Sequence, residues 1–460
     1  MIWRMSHRTS MLRIAAGGIV VLFLGVAGWI VIKSGDGAAP DVSDLVPQVI
    51  SVSDEANAAV YFEKMMASLQ WRGDRSNLEF KLEEWEDTLV VDLISRNVEA
   101  LTLLERGLAC PACQPSGTSE VTSSEQEPWY RMFMLVAQKA AYERRTGQRD
   151  IACETSGSLL RLGACLTAHS RGLLEWTAGL RALELGLKSS ERLLQESRFD
   201  EAELVRWSDR LRQIDILDRG LAEAVKAEFQ QINEAIDECS LRVPRRALFS
   251  GREFQPNRTR ETAAQFYRSI ILNVSRAYAQ VRLPAVPPLR LDRIHRLLLS
   301  LGPNRQGKIL RELFFPERDV LETCFMRKCE IQSLLAGLRL VVACRLYEIR
   351  RGRLPETLAA LVPELLAEVP RDPFDGKPFR YLRADAVVYS VGKDLKDPWK
   401  PGGETAGASQ PDNTATDPEA FDDWPESPSR PPLFHPTQEQ TDDLAYHLII
   451  PSEVAGSTRE

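Results

Sequence analysis

Between residues 317 and 350 apolar side chains return every three or four positions: Leu321, Cys324, Phe325, Leu334, Leu335, Leu338, Val341, Val342, Leu346 and Ile349. On a helix of 3.6 residues per turn that spacing makes one long stripe, which other elements must cover. The chain is therefore committed to a mainly α architecture. Shorter patterns of the same kind predict helices over 80–108, 128–146, 154–168, 171–196, 200–238 and 258–281. "SDEANAAVYFEKMMASLQW" predicts another, with Ser53 as N-cap and Asp54 and Glu55 in the first turn, where the macrodipole favours negative charge. "FQPNRT" places Asn257 where a helix should start. Two connectors, "RRTGQRDIA" and "LQESRFDEA", resemble each other about 50 residues apart, so helical hairpins are expected.

After Gly352 the character changes. "LPETLAALVPELL" reads as a short helix opened near Pro355. In "DPFDGKPFRYL" Pro373 and Pro378 bar a helix, Asp375-Gly376 supplies a tight turn, and Phe379 and Tyr381 begin a strand. "KPFRYL" and "AVVYSVG" form a predicted hairpin, and "LAYHLIIP" at 444–451 regains strand character. Between them, residues 401–442 are rich in Pro, Gly, Ser and acidic side chains, a composition expected to be disordered.

At the other end, Ile14 to Ile32 is an uncharged apolar run close to the roughly 20 residues a membrane-crossing helix needs. Arg4, Arg8 and Arg13 precede it, while Asp36, Asp41 and Asp44 follow. The positive-inside rule then gives a cytoplasmic tail (1–13), a single-pass signal anchor (14–33) in the cytoplasmic membrane and an extracytoplasmic helical domain (34–350). A small α+β module with an antiparallel sheet (351–400 plus 443–451) completes the chain.

The chemistry-bearing residues are sparse. A net charge of −7 without a basic stripe argues against nucleic acid as a partner. "GPNRQGKI" copies part of a phosphate-cradling loop, but Ile309 replaces the hydroxyl that would meet magnesium, so a turn is expected and no nucleotide. "CPAC" gives Cys110 and Cys113 the spacing of a redox dithiol, yet the pair follows a helix, and a structural disulfide or an idle pair is the plainer reading. The remaining cysteines fall in apolar patterns and read as core. His7, His169, His295, His435 and His447 form no ligand pair, and no G-x-S-x-G occurs. Glu201, Glu203, Glu234 and Glu238 read as a solvated helix face. No catalytic residue and no cofactor is assigned.

From "RLYEIRRGRLPETLAALVPELLAEVPRDPFDGKPFRYL" to "AVVYSVGKD" the chain resembles the C-terminal part of type II secretion major pseudopilins. Gly352 and Pro355 match that family's Gly-x-x-Pro segment; Pro370, Asp372 and Pro373 match its turn. Phe379 and Tyr381 match its aromatic strand, and Ser390 and Gly392 the next one, while Gly376 belongs to the same signature. More widely the chain looks like a group of uncharacterised membrane-anchored helical proteins of bacteria. The pseudopilin resemblance implies a calcium site in an acidic loop, for which Asp394, Asp397 and Asp443 are the candidates by position. The expectation is a non-enzymatic, membrane-anchored envelope protein that binds other envelope proteins, with a scaffold role linked to secretion or pilus-like assembly. The alternatives are a thiol oxidoreductase using Cys110 and Cys113, a hydrolase of unlocated site, and a helical-repeat adaptor.

Overall fold

The computed structural model describes residues 36–71, 85–115, 123–214, 217–242, 253–284, 304–397 and 444–448. The expected tail, signal anchor and insertion at 401–442 lie outside these residues, as does Asp443. No helix among the described residues is long and apolar enough to cross a membrane.

Eleven α-helices are described: α1 (Ala58–Ser68), α2 (Asp87–Arg96), α3 (Val98–Leu108), α4 (Ser123–Arg145), α5 (Arg149–Ala168), α6 (Leu173–Glu196), α7 (Glu201–Arg212), α8 (Leu217–Arg242), α9 (Pro256–Ile271), α10 (Arg305–Phe314) and α11 (Arg318–Arg351). The sheet consists of β1 (Arg380–Leu382), β2 (Val387–Ser390) and β3 (Leu444–His447), in that spatial order and antiparallel throughout. Tyr381 pairs with Val388, and Val388 with Tyr446, so both predicted strand segments and the late "LAYH" share one sheet.

Several helix ends differ from the local reading. The N-cap of α1 is Asn57, whose side chain accepts from the Ala59 amide; Ser53 instead precedes a 3-10 turn. The 80–108 span is interrupted at Asn97, whose buried side chain exchanges hydrogen bonds with the backbone of Gln70 (2.7 and 2.9 Å). The 200–238 span divides into α7 and α8. Helix α4 starts five residues before Pro128, which therefore lies inside it. Helix α9 begins at Pro256, one residue before Asn257, and its first amides are met from far away in sequence. Asp36 accepts from the Asn257 and Arg258 amides at 3.1 Å each. The helix also ends at Ile271, ten residues early, where buried Asn273 bonds the carbonyls of Ser269 and Arg282. The predicted helix near Pro355 is only a 3-10 turn, Leu358–Leu361, with Pro363 unable to donate the next helical bond.

Helices α5 and α6 form the central antiparallel pair. Their backbones approach so closely that a Cβ at Gly163 would lie 2.7 Å from the Leu183 nitrogen, and one at Gly179 would lie 2.9 Å from that of Thr167. One side of the pair, with Leu160, Leu183 and Leu187, joins the larger core around Trp176, Phe229, Tyr267 and Phe325. The other side, with Leu159, Leu162 and Leu185, joins a second core with Phe62, Met65, Trp129 and Phe133.

Helix α11 follows the expected 317–350 within one residue and crosses α6 and α7 on one side while carrying β2 and β3 on another. It ends at Gly352, whose φ of 69° is the left-handed cap glycine tolerates. Ile349, read as part of the stripe, is exposed at the helix end. Gly337 seats the Tyr446 ring, because a Cβ there would come within 2.3 Å of it.

Candidate functional site

The signature residues of the C-terminal module converge on one buried carboxylate. Asp372 is fully buried and accepts four hydrogen bonds: from the Phe374 amide and Ser390 hydroxyl on Oδ1, and from the Val391 amide and Arg380 Nη1 on Oδ2, at 2.8–2.9 Å. Burial pushes this carboxyl up from its usual range, while the Phe374, Val391 and Ser390 donors pull it down. Arg380 also binds Asp375 and lies 3.7 Å from Asp397 through Nε. The Asp375 side chain meets the Lys377 amide at 2.9 Å, and Gly376, at φ 77°, closes the turn on the Asp372 carbonyl.

This knot reaches outward to the helical domain. The Pro373 and Phe374 carbonyls accept from the Tyr278 and Ala279 amides at 2.9 Å, so the loop docks on the helical domain. Gly392 donates to the Ser390 hydroxyl at 3.3 Å. Gly352 and Pro355 lie apart from the knot, where the Tyr381 hydroxyl donates to the Pro355 carbonyl at 3.0 Å. With every acceptor position of Asp372 filled by protein donors, its chemistry is positional: it holds a turn, two strands and an arginine together.

Of the three calcium candidates, Asp443 lies outside the described residues. Asp397 accepts from the Tyr389 hydroxyl at 2.9 Å and faces Arg380, whereas exposed Asp394 caps the Lys396 amide at 2.9 Å. Among the described residues no group of three or more His, Cys, Asp or Glu is placed to hold a metal ion.

Cys110 and Cys113 are free thiols rather than a bonded pair, as are the other six cysteines. Cys110 faces the carbonyls of Arg106 and Glu55, at 3.4 and 3.7 Å. Cys113 is buried in the second core and meets the Cys165 thiol. Burial pushes Cys110 up, and the Cys165 contact followed by burial pushes Cys113 well up. An attacking thiolate needs the opposite shift. Burial likewise raises Cys153 to about 11 and Cys324, Cys329 and Cys344 to about 12, in keeping with inert core thiols.

Residue-by-residue reading missed the buried charges. Glu184 on α6 bonds Arg181 (2.7 Å) and Lys188 (2.9 Å) on its own helix and Arg327 (2.8 Å) on α11. Burial raises its carboxyl, but Arg181, Arg327 and Lys188 together hold it far below the usual carboxylate range. Lys328, buried within the α11 stripe, donates to Asp218 at 2.9 Å and to the Val274 carbonyl. The spacing Arg181, Glu184, Lys188 was a legible signal; the partners on α8 and α11 were not. Of the four glutamates read as solvated, Glu203 is half-closed by Arg149 and completes a capping box with Asp200. In "GPNRQGKI", Gly307 is small because Thr259 Oγ1 would lie 2.1 Å from a Cβ there, a packing reason in the described part of that stretch.

Comparison with known protein families, curated proteins and solved structures finds no match to this chain.

Proposed function

We propose that the protein is a membrane-anchored, non-enzymatic scaffold of the cell envelope whose rigid helical body presents surfaces to other envelope proteins. One observation carries this reading. The segment directly after the expected anchor is fastened to the domain without a linker. Asp36 caps α9, Asp44 makes a two-pronged ion pair with Arg268, and Leu45 is fully buried in the main core. Residues 14–33 crossing a membrane would therefore hold α8 and α9 close to its surface in one orientation. A fixed orientation suits a docking platform better than a tethered, freely reorienting catalyst. The pseudopilin-like C-terminal module fits the same role, since Asp372 and Arg380 tie its turn and strands together and its sheet packs on α11.

A reporter active only outside the cytoplasm, fused after Pro40, is expected to be active; silence overturns the topology. Photo-crosslinkers placed in living cells at exposed Leu241 and Leu313 (88% and 72% exposed) are expected to capture a discrete envelope protein. Capture only of lipid or of nothing overturns the scaffold role.

A further inference from the structure

The "CPAC" motif invites pairing of Cys110 with Cys113, but the fold aims the two thiols differently. Asn57 and Ala58 grip the backbone on the two sides of Cys113. Ala112 accepts from the Ala58 amide at 2.8 Å, and Gln114 donates to and accepts from the Asn57 side chain, both at 2.8 Å. A segment pinned at alternate residues in this extended way turns the intervening side chain to the opposite face. That face is the second hydrophobic core, where Cys113 is 7% exposed and Cys165, three residues before the end of α5, packs against the same cluster. Cys110 meanwhile stays at the end of α3, bonded to the Arg106 and Glu55 carbonyls.

We propose that Cys113 and Cys165 are an oxidisable pair whose disulfide joins the segment after α3 to α5, with Cys110 left out of the bond. The link would cross from the first helical hairpin to the central helix pair and close a long loop, the case in which cross-linking constrains the unfolded chain most. Cys165 is the natural attacking group: the hydrogen bond from Cys113 draws its thiol down, against the effect of burial, and it is only partly buried. The oxidant is a small-molecule or protein disulfide. The Cys165 thiolate attacks it, forming a mixed disulfide and releasing one thiolate. That thiolate takes the Cys113 proton, and the Cys113 thiolate displaces the second, so two thiols are oxidised as one external disulfide is reduced to two thiols.

Formation of this bond in the cell rests on the extracytoplasmic placement proposed above; the pairing itself does not. The test uses the full-length protein in detergent, exposed to oxidised glutathione, digested without reductant and mapped by mass spectrometry. The expected product joins the peptide containing Cys110 and Cys113 to that containing Cys165. It should persist in Cys110→Ser and vanish in Cys113→Ser. Oxidation should raise the melting temperature of wild type and Cys110→Ser alike, by about 5 °C. A link that persists in Cys113→Ser, a Cys110–Cys113 bond as main product, or three thiols still free after treatment overturns the pairing. If the pair forms with glutathione but is found reduced in protein taken rapidly from cells, the pairing stands and the placement fails.

Discussion

Glu184 shows what a single residue contributes when its neighbours come from two helices. Its carboxylate is shielded from water and compensated by Arg181, Lys188 and Arg327, so removing its charge strands cations in a region of low polarity. Glu184→Gln is expected to cost about 3 kcal/mol at neutral pH, read from denaturant melts. The pH dependence follows from the direction of the shift. The folded carboxyl titrates far below its ordinary value of 4.5, so the stabilisation is complete above that value. It is lost as pH falls through the acid range towards the folded pKa. Wild type should therefore lose stability steeply below about pH 4.5, and the variant less steeply; parallel acid limbs would refute the assignment.

At the scale of the element, the turn and hairpin at 370–391 depend on Asp372 more than on their β-favouring residues. β1 and β2 are only three and four residues long, too short to be stable as an isolated pair. Asp372 compensates by binding the turn, the second strand and Arg380 together. Asp372→Ala would leave Arg380 half-buried with two other carboxylates and the Ser390 and Val391 donors unmet. A loss of about 3–5 kcal/mol is expected, together with faster amide exchange at Tyr389 and Val391. Unchanged exchange there would show that the knot is ornamental to the sheet. The crowding of proline, Asp-Gly and aromatics made the turn and strands legible in advance. The burial of Asp372 was not, because its donors Ser390 and Val391 come from the far strand.

For the whole molecule, α11 is the element on which the helical body and the sheet meet. Arg327 reaches α6, Lys328 reaches α8, Arg339 donates to the Leu211 carbonyl at 2.8 Å, and Arg345 bonds carbonyls of α6 and of Leu448. Gly337 gives Tyr446 its seat, and with it the third strand, which returns across the acidic segment of the sequence. Gly337→Leu is expected to expel Tyr446 and release β3, seen as rapid protease cleavage after Tyr446 while α1 to α6 stay resistant. Resistance at Tyr446 equal to wild type would mean that strand pairing alone holds β3.

By itself the sequence determined the helical class, the course of α11 within a residue, and the place where helix gives way to hairpin. These depend on short-range periodicity and on backbone limits of proline and glycine, which act within a few residues. Only the tertiary structure decided that Asp36 caps α9, that Glu184, Lys328 and Asp372 are buried with partners, and that Cys113 faces Cys165 and not its motif neighbour. Those contacts join residues from 18 to more than 200 positions apart, apart from the partners of Glu184 on its own helix and the bonds of Asp372 to Phe374 and Arg380. A buried charge or thiol takes its properties from whatever the fold brings against it, and periodicity along one helix carries no record of the other side of the contact.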